Sequence, residues 1–140
     1  MTSHLNEKHA VCLRIRHPSI DSEVITAAIG VQPTHAWTVG APRITPIGRP
    51  LPGTYPDTRW NYILSTEIGE NVSETLEKIL DLARGNTAFF KKIREELGST
   101  EIDVQLHGKV HSGNVINFRN LKTLVDSQID LGIEVFPNWN

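Results

Sequence analysis

Apolar and polar residues alternate strictly from Val11 to Arg16, with Val11, Leu13 and Ile15 on one side and Cys12, Arg14 and Arg16 on the other. A period of two predicts a strand with one buried and one wet face. Pro18 stops it. From Ile20 the spacing changes, and Ile25, Ala28 and Ile29 fall on one helical stripe. Asp21 stands where an N-cap accepts from free backbone N–H groups, and Ile20 with Ile25 can close a hydrophobic staple. Gly30 suits the left-handed turn that ends such a helix, and Pro33 bars its continuation. His35 to Gly40 predicts a short strand. The next stretch, from Gly40 to Trp60, holds Pro42, Pro46, Pro50, Pro52 and Pro56. Proline fixes φ and donates no hydrogen bond, so this stretch predicts a semi-rigid loop without regular structure.

Alternation returns at Trp60, with Trp60, Tyr62, Leu64 and Thr66 on one face and Ile63 on the other, predicting a strand to Ile68. Asn71 caps the longest predicted helix, with Glu74 as its capping-box partner. Val72, Leu76, Ile79, Leu80 and Ala83 form its buried face. Gly85-Asn86 breaks it. A second helix over Thr87 to Leu97 turns Phe90, Ile93 and Leu97 inward, and Gly98 closes it. Glu101 to His107 alternates cleanly. Gly108 to Gly113 reads as a turn, with Val115 to Phe118 as the returning hairpin strand. Asn120 then caps a short helix bearing Leu121, Leu124 and Val125, and Gly132 to Phe136 is the last strand before Pro137. The order predicts an α+β fold: a mostly antiparallel sheet with helices packed on one face. It follows the ferredoxin-like βαββαβ succession with an added hairpin, helix and strand. Residues 1–9 read as a flexible N-terminal tail and 10–140 as a single domain.

Charge and cysteine content remove several classes of function. A formal net charge of -2 provides no basic footprint, so no nucleic-acid partner is expected. The one cysteine, Cys12, cannot close an internal disulfide or build a cysteine-rich zinc site. It fits a reducing compartment, and with the polar N-terminus and no long apolar run the expected location is cytoplasmic, without a membrane. The chain holds no GxGxxG, no GxxxxGK and no G-x-S-x-G. The expectation is therefore no cofactor, no metal and no catalytic residue. His107 with His111, and His4 with His9, read as unrelated surface histidines, and Cys12 as an inert thiol.

One stretch resembles a known family. Ile25-Thr26, then Gly30-Val31-Gln32-Pro33-Thr34, Ala36-Trp37, Gly40 and Trp60 resemble the bacterial domain-of-unknown-function family number 4279, and Leu131 to Val135 fits its late strand. The resemblance covers nearly the whole chain and implies a shared fold. The family has no agreed activity and no catalytic residues to carry over. Some members are suspected to act as immunity proteins beside bacterial toxins, so the resemblance implies a toxin-like protein as a partner.

The candidate site is the proline-rich loop. Arg43, Arg49 and Arg59 stand there against one acid, Asp57, with His35 close by. Guanidinium forks suit carboxylates and phosphates, although arginines pairing with nearby acids on a solvated loop is the plainer reading. Trp37, Tyr55 and Trp60 flank the loop. Aromatics are enriched at interface hot spots, but the two tryptophans are expected to anchor the loop on the sheet, with Tyr55 the exposed ring. The candidate ligand- or partner-binding set is His35, Trp37, Arg43, Arg49, Tyr55, Arg59 and Trp60. Arg14 and Arg16 are expected to meet Glu101 and Asp103 in a cross-strand ionic ladder. Three functions follow, in order: a non-catalytic protein-binding module, a small-molecule or anion sensor or enzyme with a site under the loop, and a homodimer built by edge-strand pairing, with the last strand as the possible edge, or by sheet-face packing.

Overall fold

The computed structural model describes residues 9–66, 71–107 and 115–136. The alternating segment is strand β1 (Ala10–His17), and the first helix is α1 (Ser22–Ile29). Its cap forms as the sequence requires: the Glu23 N–H donates to Asp21 Oδ1 at 2.9 Å, and Gly30 closes the helix at φ 88°. Then come β2 (His35–Trp37), β3 (Pro42–Ile44), β4 (Pro50–Thr54) and β5 (Thr58–Ser65). Helices α2 (Val72–Arg84) and α3 (Thr87–Glu95) lead to β6 (Ser99–His107), and α4 (Phe118–Asp126) to β7 (Asp130–Phe136).

Five strands form one mixed sheet in the order β2-β5-β1-β6-β7. The pairs β2–β5, β5–β1 and β1–β6 are antiparallel, and β6–β7 is parallel. On one face Ile15 lies opposite Trp60 and Thr100, Leu13 opposite Tyr62 and Ile102, and Val11 opposite Leu64 and Val104. These side chains form one core with Ile25 and Ile29 of α1, Leu76, Ile79, Leu80 and Ala83 of α2, and Phe90 and Ile93 of α3. The helices thus cover this face, and Cys12, Arg14 and Arg16 mark the other. The α+β class and the one-sided cover agree with the sequence reading. The ferredoxin-like order is not clearly shown, because β3 and β4 intervene between β2 and β5 and a second helix follows α2.

Four local expectations are corrected. Val115 to Asn117 form no strand and Phe118 already starts α4, so the expected hairpin partner of β6 is absent; Gly108 to Asn114 lie outside the described residues. The cap of α4 is Asn117, whose Oδ1 accepts from the Asn120 N–H at 2.9 Å. Asn120 is instead buried, and its Oδ1 accepts from Arg84 Nη2 at 2.6 Å, tying α4 to α2. Leu121 and Val125 face outward and only Leu124 enters the core. Leu97 is 82% exposed at φ 68°, because α3 ends at Glu95 and Gly98 packs too closely on the Arg16 carbonyl and Ile93 to carry a side chain.

Two histidines are structural. His17 is buried, and its Nδ1 accepts the N–H groups of Ser19 and Ile20 at 3.0 and 2.9 Å. That leaves the proton on Nε2, 3.0 Å from Glu96 Oε1. His9, read from the sequence as tail, bonds through its N–H to Thr66 Oγ1 and accepts the His107 N–H at Nδ1. The other tail residues, 1–8, and His111 lie outside the described residues.

Candidate functional site

The proline-rich stretch is not a structureless loop. Strands β3 and β4 pair antiparallel as a two-stranded ribbon, with Pro42 opposite Thr54 and Ile44 opposite Pro50. Proline is excluded from the middle of a sheet because it removes a ladder bond, but in a two-stranded ribbon every strand is an edge. The bend sits at Thr45 to Gly48. Gly48, at φ 84°, donates its N–H to the Thr45 carbonyl at 2.9 Å, and the Arg49 N–H reaches Thr45 Oγ1 at 3.0 Å.

The root of the ribbon is fixed to the sheet. Gly40 N–H donates to the Tyr55 carbonyl at 2.9 Å, and Tyr55 N–H to the Ala41 carbonyl at 3.0 Å. Below them, Thr58 Oγ1 accepts the Val39 N–H and donates to the Ile20 carbonyl. Tyr55 is half-buried, not the free ring expected from the sequence. It stacks on Trp37 with ring centroids 4.9 Å apart, and its hydroxyl accepts from the Ile44 N–H at 3.2 Å. Trp37 therefore anchors the ribbon, as the sequence suggested.

Between ribbon and sheet edge lies an open cleft of about 910 Å³. It gathers His35, Trp37, Arg43, Tyr55 and Arg59 from the candidate set, and adds Thr34, Ile44, Leu51 and Asp57. Arg49 stays outside it, on the exposed ribbon. Trp60 does not belong to the site: it is fully buried in the core, with its indole N–H on Thr26 Oγ1 at 3.0 Å. The apolar members Ile44 and Leu51 were missed because prolines hid the strand period that would have placed them.

The arginines divide into two kinds. Arg59 is held by Asp57, through Nε to Oδ1 at 3.0 Å and Nη2 to Oδ2 at 3.2 Å, while Arg16 Nε reaches the same Oδ2 at 2.8 Å. Hydrogen bonds from Arg59, then its charge and those of Arg16, hold the Asp57 carboxyl below its ordinary range against the opposing effect of burial. Arg43 only grazes the Pro52 carbonyl at 3.4 Å. Among the described residues no carboxylate pairs with Arg43 or Arg49.

Behind the cleft, the outer face of the sheet carries only part of the expected ionic ladder: Arg14 meets Asp103, whereas Arg16 lies opposite Ser99 and pairs with Asp57 instead. Arg14 lies opposite Glu101 in register, and its Nη1 is 2.9 Å from Asp103 Oδ2, an ion pair rather than a well-aligned hydrogen bond. A hydrogen bond to Asp103, then burial, pushes the Glu101 carboxyl up to about 7. Gly132 on β7 leaves the space the two carboxyls fill; a Cβ there would run into Asp103 Oδ1 and Glu101 Oε1. Cys12 lies in the same face, and burial raises its thiol pKa, which keeps it protonated and unreactive.

No three His, Cys, Asp or Glu residues are placed to hold a metal among the described residues, and no helix there is long and apolar enough to cross a membrane. His35 is exposed at the rim of the cleft. The arrangement is that of an α+β domain with a projecting aromatic-arginine ribbon over an open cleft. The chain belongs to the family described as Domain of unknown function (DUF4279), whose model matches residues 6–135. No curated protein and no solved structure matches it.

Proposed function

We propose that this chain is a non-catalytic protein-binding module, immunity-protein-like in mode, that takes an acidic segment of a partner protein along the ribbon and its cleft. One observation carries the reading. The ribbon stands clear of the sheet with every residue of β3 and β4 exposed, yet it carries Ile44 and Leu51 beside Arg43, and Ile47 beside Arg49. Apolar side chains held in water on an ordered hairpin, next to guanidinium groups without carboxylate partners, match the composition of an interface hot spot. The Trp37–Tyr55 stack stiffens the ribbon, so little conformational entropy remains to be lost on binding.

The test is differential capture from native lysate by the wild-type chain and by an Arg43→Glu/Arg49→Glu/Leu51→Glu variant. A partner held by the first and lost from the second, with both equally stable, is the expected result. Identical captures, or none, would count against a ribbon-borne interface. A second reading is favoured by the size of the cleft, which is in the range of small-molecule sites: an anion sensor using His35, Arg43 and Arg59. A thermal-shift screen against small anions separates it from protein docking. Pairing of two copies through β7 is a third, since β7 is an edge strand and exposes Ile133 and Val135. Light scattering at high concentration decides it, and a monomer removes it.

A further inference from the structure

The outer face of the sheet holds a second, smaller cavity of about 320 Å³, and it shares Trp37 and Arg59 with the cleft. A ligand lying under the ribbon can therefore continue over Trp37 onto the sheet. We propose that this outer depression is a carboxylate-binding subsite centred on Arg16 and Arg59, with Asn61 in its lining. The proposal deepens the reading of the cleft as a docking place for an acidic segment, by naming the group that is recognised.

Register supplies the first argument. Arg16 and Arg59 lie directly opposite each other on β1 and β5. Like charges in that position repel and are destabilising unless an anion sits between them. Asp57 meets that need only in part, since it is one carboxylate for two guanidinium groups. A guanidinium has five N–H donors. Arg16 spends only its Nε on Asp57, and Arg59 its Nε and Nη2. Among the described residues the remaining donors, Arg16 Nη1 and Nη2 and Arg59 Nη1, have no acceptor, and they line an open cavity.

A surplus of donors supplies the second. The half-buried Asn61 amide has no partner among the described residues, and the Trp37 indole Nε1 is buried without one. Planar guanidinium forks receive a carboxylate through two parallel hydrogen bonds.

The test is a ¹H–¹⁵N titration of the full chain, following the Arg16 and Arg59 side-chain Nε–H signals and the Trp37 indole. The probes are sodium acetate, a hexaglutamate peptide and inorganic phosphate. Saturable shifts at these three groups with acetate and with the peptide are expected, weakened at least tenfold in Arg59→Gln. Because Arg59→Gln also strips a partner from Asp57, Asn61→Leu is run beside it; this variant leaves every ion pair intact and should still weaken the shifts severalfold. Absence of saturable shifts, or shifts undiminished in both variants, overturns the subsite. Phosphate binding more tightly than acetate overturns the assignment to carboxylate. If the peptide binds at least tenfold more tightly than acetate, the carboxylate comes from a chain that also fills the cleft. Equal affinities leave the subsite standing as a site for free carboxylates and count against the docking of an acidic segment.

Discussion

Gly132 shows how one position can govern the outer face. It carries no side chain because the Asp103 and Glu101 carboxyls occupy the space beside it. Gly132→Ala is expected to cost about 1–3 kcal/mol in urea unfolding, since Asp103 is buried and cannot swing away as Glu101 can. The proton on Glu101 has its own signature. Its folded-state pKa, about 7, lies above the ordinary 4.5, so the folded state binds that proton more tightly. The resulting stabilisation is full below about 4.5 and is lost as the pH rises to about 7. Asp57 works the other way: its lowered pKa stabilises the fold above the ordinary 3.8, and that contribution fades as acid protonates it. Glu101→Gln keeps a hydrogen-bond donor toward Asp103 and removes the titration. Unfolding curves across this range should therefore fall with pH more steeply in the wild type than in the variant. Parallel curves would mean that Glu101 is ionised in the folded chain. Arg43→Ala and Arg49→Ala should each change stability by well under about 1 kcal/mol, as exposed truncations do. Arg59→Ala is expected to cost more than either, because Arg59 clasps the buried Asp57.

Among the elements, the ribbon is where sequence and structure part. Helices α1 and α2 were legible because cap and stripe agreed: Asp21 and Asn71 both accept the expected N–H bonds. Strand β1 was legible because its alternation is uninterrupted. In β3 and β4 the prolines argued against strands, and only the pairing of two edges makes them acceptable. Strand β7 was legible as a strand but not as a parallel one, since parallel pairing follows from the crossover through α4. The site was legible in part. The cluster of arginine and aromatic residues was visible in one dimension, and five of the seven candidates line the cleft. Arg16 and Asn61 reach the site only through register, which the linear order does not carry. The ribbon's stiffness is itself testable. Tyr55→Ala removes the stack on Trp37 and the bond from Ile44, an interaction of about 0.5–1.5 kcal/mol. Faster amide exchange in β3 and β4, with the core amides unchanged, is expected. Equal acceleration throughout would mean that the ribbon folds only together with the core.

At the scale of the whole molecule, the core and the proposed binding surface occupy separate places. The core lies between one sheet face and the helices, and Trp60 is its largest side chain. Trp60→Ala is expected to cost roughly 3–5 kcal/mol and to leave no local effect on the ribbon beyond that loss. The ribbon carries Arg43 and Arg49, which have no carboxylate partner among the described residues, beside the exposed Ile44, Ile47 and Leu51. The fold thus provides a rigid wall from which a short hairpin projects. The separation was foreseeable from strand alternation, whereas continuity between cleft and outer face was not, because it depends on where Trp37 and Arg59 stand side by side. The most direct measurement is the hydrogen-exchange footprint of the captured partner on this chain. Protection of residues 35–37, 42–54 and 59–61 is the predicted result. Protection confined to α4 and β7, with the ribbon exchanging as it does in the free protein, would contradict it.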